Sequence, residues 1–270
     1  MAKDEDRPAL SEAAARDDGS RAGGAPGVTI AGATDIGLVR RLNQDAFSSF
    51  EDPVRAETLL VVADGLGGHR GGEVASRMAV DLLGELVPLG DPEPSERLRS
   101  SVEHANAEIL KAARKDRTLD GMGTTVVCLL VSAAKGSWVA HVGDSRLYRL
   151  RAGRLEALTE DHSLVANLVR EGAIAPQEAR VDPRRNQILR ALGVHDDLEV
   201  DVAPLDAEPG DAYLLCSDGL HGLLEDDEIQ RLMAAEGSPE EIVAGLIDAA
   251  KLAGGSDNVT CLLARMTATR

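Results

Sequence analysis

At 270 residues the chain is long enough for one large domain or two small ones, with a core that needs no covalent staples. Its 29 basic and 46 acidic residues leave a net charge of -17, which argues against a nucleic-acid or anionic-membrane surface and makes an anionic substrate depend on local cations. Aromatic residues make up 2% against 43% hydrophobic residues, so the core must be built from Leu, Val, Ala and Ile.

Residues 1 to about 27 are rich in Ala, Gly, Asp and Arg without a period and read as a disordered tail. The opening is polar, so no signal peptide is expected, and no apolar run reaches membrane-spanning length. The expected location is the cytoplasm. Order begins at "VTIAGATDIG", a strand ending in turn residues. "ETLLVVADG" predicts a strand covered on both faces. Val74, Ala75, Met78, Ala79, Leu82, Leu83 and Leu86 then recur at helical spacing until Pro88, and a second helix is predicted from Ser95 to about Lys115.

"GMGTTVVCLLVSA" enters a β-branched strand through glycines, and "GSWVAHVGDSRLYRLRAGRLEALT" predicts two or three short strands with a hairpin at Ala152-Gly153. Residues 161–190 are polar and mixed, a surface excursion with short helices at best. "GDAYLLCSDGLHGLL" returns to a strand ending at an aspartate. Helices are predicted near 225–235 and 238–252, and "SDNVTCLLARM" supplies a last strand. Helices come in adjacent pairs, which fits layers of mostly antiparallel sheet with paired helices outside better than a doubly wound parallel sheet. Cys128, Cys216 and Cys261 sit inside apolar runs and read as buried, reduced thiols.

One pattern occurs twice: an apolar strand running into Asp-Gly, in "LLVVADG" and "YLLCSDG". Asp45, Asp64, Asp144, Asp218 and Asp257 each stand beside a turn or strand end, and Asp120 precedes another glycine-marked turn. Singly, each reads as a turn or cap residue. Gathered at the ends of neighbouring buried strands, they would repel one another unless cations lay between them. An all-oxygen set selects hard ions such as Mg²⁺ or Mn²⁺ over Zn²⁺. "DGLGGHRGG" lacks the Lys-Ser/Thr of a nucleotide-binding loop. Arg40 and Arg41 lie within five residues of Asp45 and suit a phosphoryl oxygen. On residues alone the pattern points to a carboxylate-bridged, metal-dependent phosphohydrolase.

The ordered set "DIGLVRRLNQDAF", "VVADGLGGH", "GMGTTVV", "VGDSRLYRL", "DHS", "NQILRALG", "LLCSDGL" and "SDNVT" resembles the bacterial metal-dependent Ser/Thr protein phosphatases of the 2C type, over about residues 30–266. The resemblance implies an α+β fold, a four-layer α/β/β/α sandwich of two antiparallel sheets flanked by paired helices. The phosphatase domain would span 28–268, with a flap subdomain at about 161–190. It implies two Mn²⁺ or Mg²⁺ ions bridged by Asp64, with the Gly65 carbonyl, Asp218 and Asp257 as further ligands and Asp45 supporting the metals largely through water. Asp120 and Asp218 match the residues that hold a third, weaker ion in many bacterial members. Arg40 matches the phosphate-binding arginine, and Arg41 its surface neighbour.

The implied reaction is direct hydrolysis of phosphoserine or phosphothreonine in proteins by metal-bridging water, reversing Ser/Thr kinase signalling. The expected partners are phosphorylated proteins, including a kinase or its substrates; a small anti-sigma-factor antagonist is an alternative target. A catalytically dead phosphoprotein-binding scaffold is the reading from another class, and the intact Asp64, Asp218 and Asp257 count against it. Two positions depart from the family pattern. Gln44 stands where Glu is frequent, which keeps the oxygen and loses the charge. Leu66 stands where animal members carry a histidine acid, so the leaving alkoxide would take its proton from metal-bound water. His69 and His141 are expected to be structural, Asp144 to support the sheet end by hydrogen bonds, and His162, Arg180, Arg184 and Arg185 to belong to the flap.

Overall fold

The computed structural model describes residues 27–67, 71–87 and 93–267. The tail read over 1–27 lies outside these residues apart from Gly27, as do residues 268–270. In chain order the elements are β1 (Val28–Asp35), β2 (Asp45–Asp52), β3 (Glu57–Leu66), α1 (Gly71–Leu86), α2 (Pro94–Lys115), β4 (Gly123–Thr124), β5 (Val126–Ser132), β6 (Gly136–Val142), β7 (Arg146–Arg151), β8 (Arg154–Ala157), α3 (Leu164–Arg170), α4 (Pro176–Val181), β9 (Asp201–Leu205), β10 (Ala212–Cys216), α5 (Asp218–His221), α6 (Asp226–Met233), α7 (Pro239–Leu252) and β11 (Val259–Met266).

The strands form two sheets, β1-β11-β10-β7-β8 and β2-β3-β5-β6-β9, with β4 added to β3. Every pairing is antiparallel. Side-chain alternation in β3 explains the layering. Leu59, Val61 and Ala63 face α1 and α2, where they meet Ala75, Leu83, Leu98 and Ile109. Leu60 and Val62 face the other sheet, against Ile30, Tyr213, Leu215 and Leu262. Beyond that sheet Leu214 and Leu263 pack on Leu246 and Ile247 of α7. Three apolar interiors therefore separate four layers, and β3 is apolar throughout because both of its faces are covered.

Two strands, β2 and β9, escape the sequence pattern. They are the edge strands of one sheet, and β9 carries Pro204, a residue tolerated at an edge. The Ala152-Gly153 hairpin forms as expected, with both residues at positive φ (49° and 78°), the twist that a two-residue turn demands. The segment 161–190 leaves β8 and carries α3 and α4. Its two stems are joined by the Ser163–Ile188 bridge and by bonds from the Leu164 N–H to the Gln187 carbonyl and the Leu189 N–H to the His162 carbonyl. Among the described residues no helix is long and apolar enough to cross a membrane. The three cysteines are free and buried, and burial pushes the Cys128 and Cys216 thiols up to about 12.

Candidate active site

Four carboxylates converge where the two sheets end. Asp45 opens β2 and sits directly across from Asp64 of β3. Asp218 follows β10, and Asp257 precedes β11, in the other sheet. Like charges directly opposite on paired strands destabilise a sheet, so the Asp45–Asp64 register runs against local preference. Their environment makes it worse. Burial first, and then Asp257, raise the Asp45 carboxyl to about 6. Burial followed by Asp257 and Asp45 raises Asp218 to about 7. Asp64 is pushed well above the usual carboxylate range by burial, then by Asp45 and Asp218.

The polar surroundings fix one oxygen of Asp45 and leave the other. Oδ2 accepts from the Ser217 hydroxyl at 2.7 Å and the Thr260 hydroxyl at 2.6 Å. Oδ1 is buried without a partner, and so are Oδ1 of Asp218 and Oδ1 of Asp144, among the described residues. A buried carboxylate oxygen with no donor is costly. All three belong to carboxyls whose charges act on Asp64, and unpaired oxygen donors of this kind suit Mg²⁺ or Mn²⁺. The residues therefore fit the hard-metal expectation.

The backbone is shaped to the same end. A Cβ on Gly65 would stand 2.2 Å from the Gly72 carbonyl and 2.6 Å from that of Gln44, so α1 can press against the end of β3 only over a glycine. Gly219 is equally constrained, since its Cβ would meet the Asn258 carbonyl at 1.9 Å, seating α5 against the start of β11. Thr125 accepts the Asp64 N–H at 2.9 Å and exchanges a hydroxyl bond with Ser145 at 2.7 Å.

Arg40 lies on the β1–β2 loop and donates from Nη2 to Asp257 at 2.7 Å. That bond, with the fields of Asp218 and Asp64, holds its guanidinium firmly charged. Gln44 acts mainly through its backbone: its N–H goes to the Asn258 side chain at 2.8 Å, and its carbonyl accepts from Gly65 at 3.0 Å and Ser76 at 2.6 Å. Its side-chain nitrogen donates to the Gly67 carbonyl at 3.3 Å, a bond that a glutamate could not make.

Asp120 stands apart: it is exposed, and among the described residues its carboxylate makes no hydrogen bond or ion pair. The Asp144 backbone carbonyl takes the His221 ring at 2.9 Å, while Oδ1 of its carboxylate is buried without a partner among the described residues. His69 lies outside the described residues. His141 is a buried residue of β6, its pKa lowered to about 4 by burial and then by His162. His162 accepts the Gly143 N–H at 3.1 Å on Nδ1 and meets Asp201 at 3.1 Å through Nε2. His141, His162 and Asp201 lie close enough for a metal, but a backbone N–H already occupies Nδ1 of His162, so Nε2 carries the ring proton. The His141 ring donates to the Gly143 carbonyl at 3.0 Å and lies 4.3 Å from the His162 ring, so the group braces the turn at Gly143.

Of the flap arginines, Arg180 pairs with Glu225 and Arg184 with Asp182. Arg185 lines a cavity of about 850 Å³ between the flap and α5–α6, whose inner end reaches Asp144 and Asp218.

Ser217, Thr260, Asn258 and Thr125 are the site residues that sequence reading did not single out. Each is within two residues of a named aspartate or inside a quoted motif, the one signal that could have found them. Asn258 ties the whole β1–β2 loop, donating to the Ile36 carbonyl at 3.0 Å and the Leu42 carbonyl at 3.1 Å.

Known proteins share this chain's sequence pattern and fold. A family model described as Protein phosphatase 2C matches residues 39–246. The serine/threonine phosphatase stp of Listeria monocytogenes is 40% identical over 242 residues, covering 88% of this chain and 95% of the relative. Among solved structures, the catalytic domain of the serine threonine protein phosphatase PstP with two manganese ions superposes with a TM-score of 0.80 at 35% identity, over 90% of this chain and 99% of that one. Stp1 from Staphylococcus aureus gives a TM-score of 0.82 at 34% identity, over 93% and 100%.

Proposed function

The chain belongs to the protein phosphatase 2C family and is a metal-dependent Ser/Thr protein phosphatase, and on that basis we propose which of its residues perform the reaction. Asp64, Asp218, Asp257 and the Gly65 carbonyl hold two divalent ions, Mn²⁺ or Mg²⁺, and Asp45 supports them. Asp120 with Asp218 holds a third ion more weakly, in keeping with the exposure of Asp120. The ions, when bound, supply an activated water nucleophile and neutralise the phosphoryl oxygens.

The remaining steps belong to the chain's own side chains. Arg40 binds the phosphoryl group: Asp257 takes one terminal nitrogen and leaves the rest of the half-exposed guanidinium facing solvent for a second, forked contact. Ser217 and Thr260 hold one oxygen of Asp45 so that the other keeps its direction. Thr125 fixes the backbone at Asp64. The flap, with Arg185 in its cavity, meets the substrate protein, which is a Ser/Thr kinase or one of its targets in a cytoplasmic signalling pathway.

The observation that carries this reading is the convergence of Asp64 with the orphaned oxygens of Asp45 and Asp218 at the ends of both sheets. The test is phosphate release from a phosphothreonine peptide with Mn²⁺, with Mg²⁺ and after chelation. Release should require metal, and Asp218→Asn should lower kcat at least about a hundredfold, the scale of losing one preorganised electrostatic element. Wild-type turnover by that variant at saturating metal would remove Asp218 from the site.

A further inference from the structure

The segment from Ile36 to Gln44, "IGLVRRLNQ", carries two cations and no anion in a chain of net charge -17. Two of its aliphatic side chains point outward: Leu38 is 64% and Val39 66% exposed. A single exposed aliphatic residue means little, but covering two neighbours together removes a continuous apolar area from water. Adjacent, they make a small apolar surface immediately before Arg40.

Their exposure is not that of a loose loop. The Gly37 N–H donates to Asp35 at 2.8 Å and the Leu38 N–H to the Gly255 carbonyl at 2.7 Å. Asn258 holds the carbonyls of Ile36 and Leu42. Gly37 adopts φ 77°, and a Cβ there would stand 2.2 Å from the Asp257 carbonyl. Only glycine lets the loop lie on the strand entry that carries Asp257. The backbone is thus pinned at both ends, at residues 36–38 and at Leu42, while most of the two aliphatic side chains between them faces solvent. Arg40 turns inward to Asp257, whereas Arg41 is exposed and, among the described residues, makes no ion pair.

We propose that Leu38 and Val39 form a docking ledge for the polypeptide that flanks the phosphoresidue, selecting an aliphatic side chain beside the phosphate bound at Arg40. The occupant follows from charge and continuity. Consecutive Cα atoms lie about 3.8 Å apart, so a peptide whose phosphate reaches Arg40 brings its next one or two residues over Val39 and Leu38. An apolar strip with two arginines, in an otherwise acidic chain, complements a phosphate dianion with apolar neighbours. The proposal rests on Arg40 as the phosphate ligand.

The test uses the full chain with saturating Mn²⁺ and compares wild type with the double variant Leu38→Ser/Val39→Ser. The substrates are p-nitrophenyl phosphate and two phosphothreonine peptides differing only in leucine or serine on both sides of the phosphothreonine. For the leucine peptide the variant should lose about tenfold in kcat/KM, through KM, the scale on which an apolar pocket discriminates. The serine peptide should change less than twofold, and p-nitrophenyl phosphate not at all. A second variant, Leu38→Ile/Val39→Ile, should keep the leucine preference. Equal loss on all three substrates, or no loss on any, overturns the ledge. So does unchanged peptide kinetics together with binding to phosphatidylserine vesicles that the serine variant abolishes, which would make the strip a membrane contact. If wild type cleaves none of the substrates, the phosphate-site reading falls with it; if wild type cleaves all and shows no leucine preference, the ledge alone falls.

Discussion

Asp64 is held against its own charge. Its cross-strand neighbour is Asp45, and Asp218 and Asp144 add to the repulsion, so the metal-free site stabilises protonated carboxyls. The sign follows from the raised values. Asp45 and Asp218 ionise at about 6 and about 7 in the fold against an ordinary 3.8. Between those limits the folded chain binds more protons than the unfolded one, so stability is fully present below about pH 4 and is lost as pH rises through 6 to 7. We expect chelated protein to show this decline in its denaturation midpoint and metal to abolish it. Under chelation at pH 7.5, Asp64→Asn should unfold later than wild type by on the order of 1 kcal/mol, since asparagine needs neither a proton taken up on folding nor a charge held beside Asp45. With metal the ranking should reverse. A chelated Asp64→Asn less stable than wild type would mean that repulsion is not what dominates there.

Among the elements, α2 is tied to β3 by a buried ion pair. Arg97 donates from Nη1 and Nη2 to both oxygens of Glu57, at 2.9 and 2.8 Å, and also to the Val87 carbonyl at the end of α1. Removing one partner leaves the other charge stranded in an apolar layer, so Arg97→Ala should cost about 3–5 kcal/mol in denaturant unfolding, whereas Arg97→Met with Glu57→Leu should recover most of it. Neither position touches the carboxylates, so metal affinity measured by calorimetry should change little in the double variant. The pair also shows how legibility varies with environment. The helices and the central strands repeat their apolar residues at 3.6 or in unbroken runs and could be read directly. The edge strands β2 and β9 could not, because one neighbour and one solvent-facing side leave little apolar signal in "DAFSSFED" and "DVAPL".

In the whole molecule, the proposed active site exists only where the two sheets meet. Asp45 and Asp64 come from one sheet, and Asp218 and Asp257 from the ends of strands in the other. Their separation depends on the inter-sheet interior of Leu60, Val62, Tyr213 and Leu262. Leu60→Ala should cost about 2–5 kcal/mol, like any large buried truncation, and should also weaken Mn²⁺ binding. Leu98→Ala, a comparable truncation between sheet and helices, should cost similar stability and leave Mn²⁺ affinity close to wild type. Equal effects on affinity would show that the sheet-to-sheet spacing does not set the site.

The layered arrangement, the paired helices and the candidate aspartates were readable in the chain because each leaves a local mark: a period, a glycine beside an acid, a strand run that stops at a carboxylate. The chain order of those marks also carried the family. What local pattern could not supply was which carboxylates share a space and which polar residues serve them. Asp120 and Asp218 have the same flanking glycine, yet one is exposed and the other half-buried in the cluster, with one carboxylate oxygen shut off from solvent. Ser217, Thr260 and Asn258 are ordinary residues until β10 and β11 bring them to Asp45 and to the Arg40 loop, 172 to 222 positions away in sequence. Their hydrogen bonds are long-range, and burial gives them their weight. Both are properties of the packed chain, so only the tertiary structure decides them.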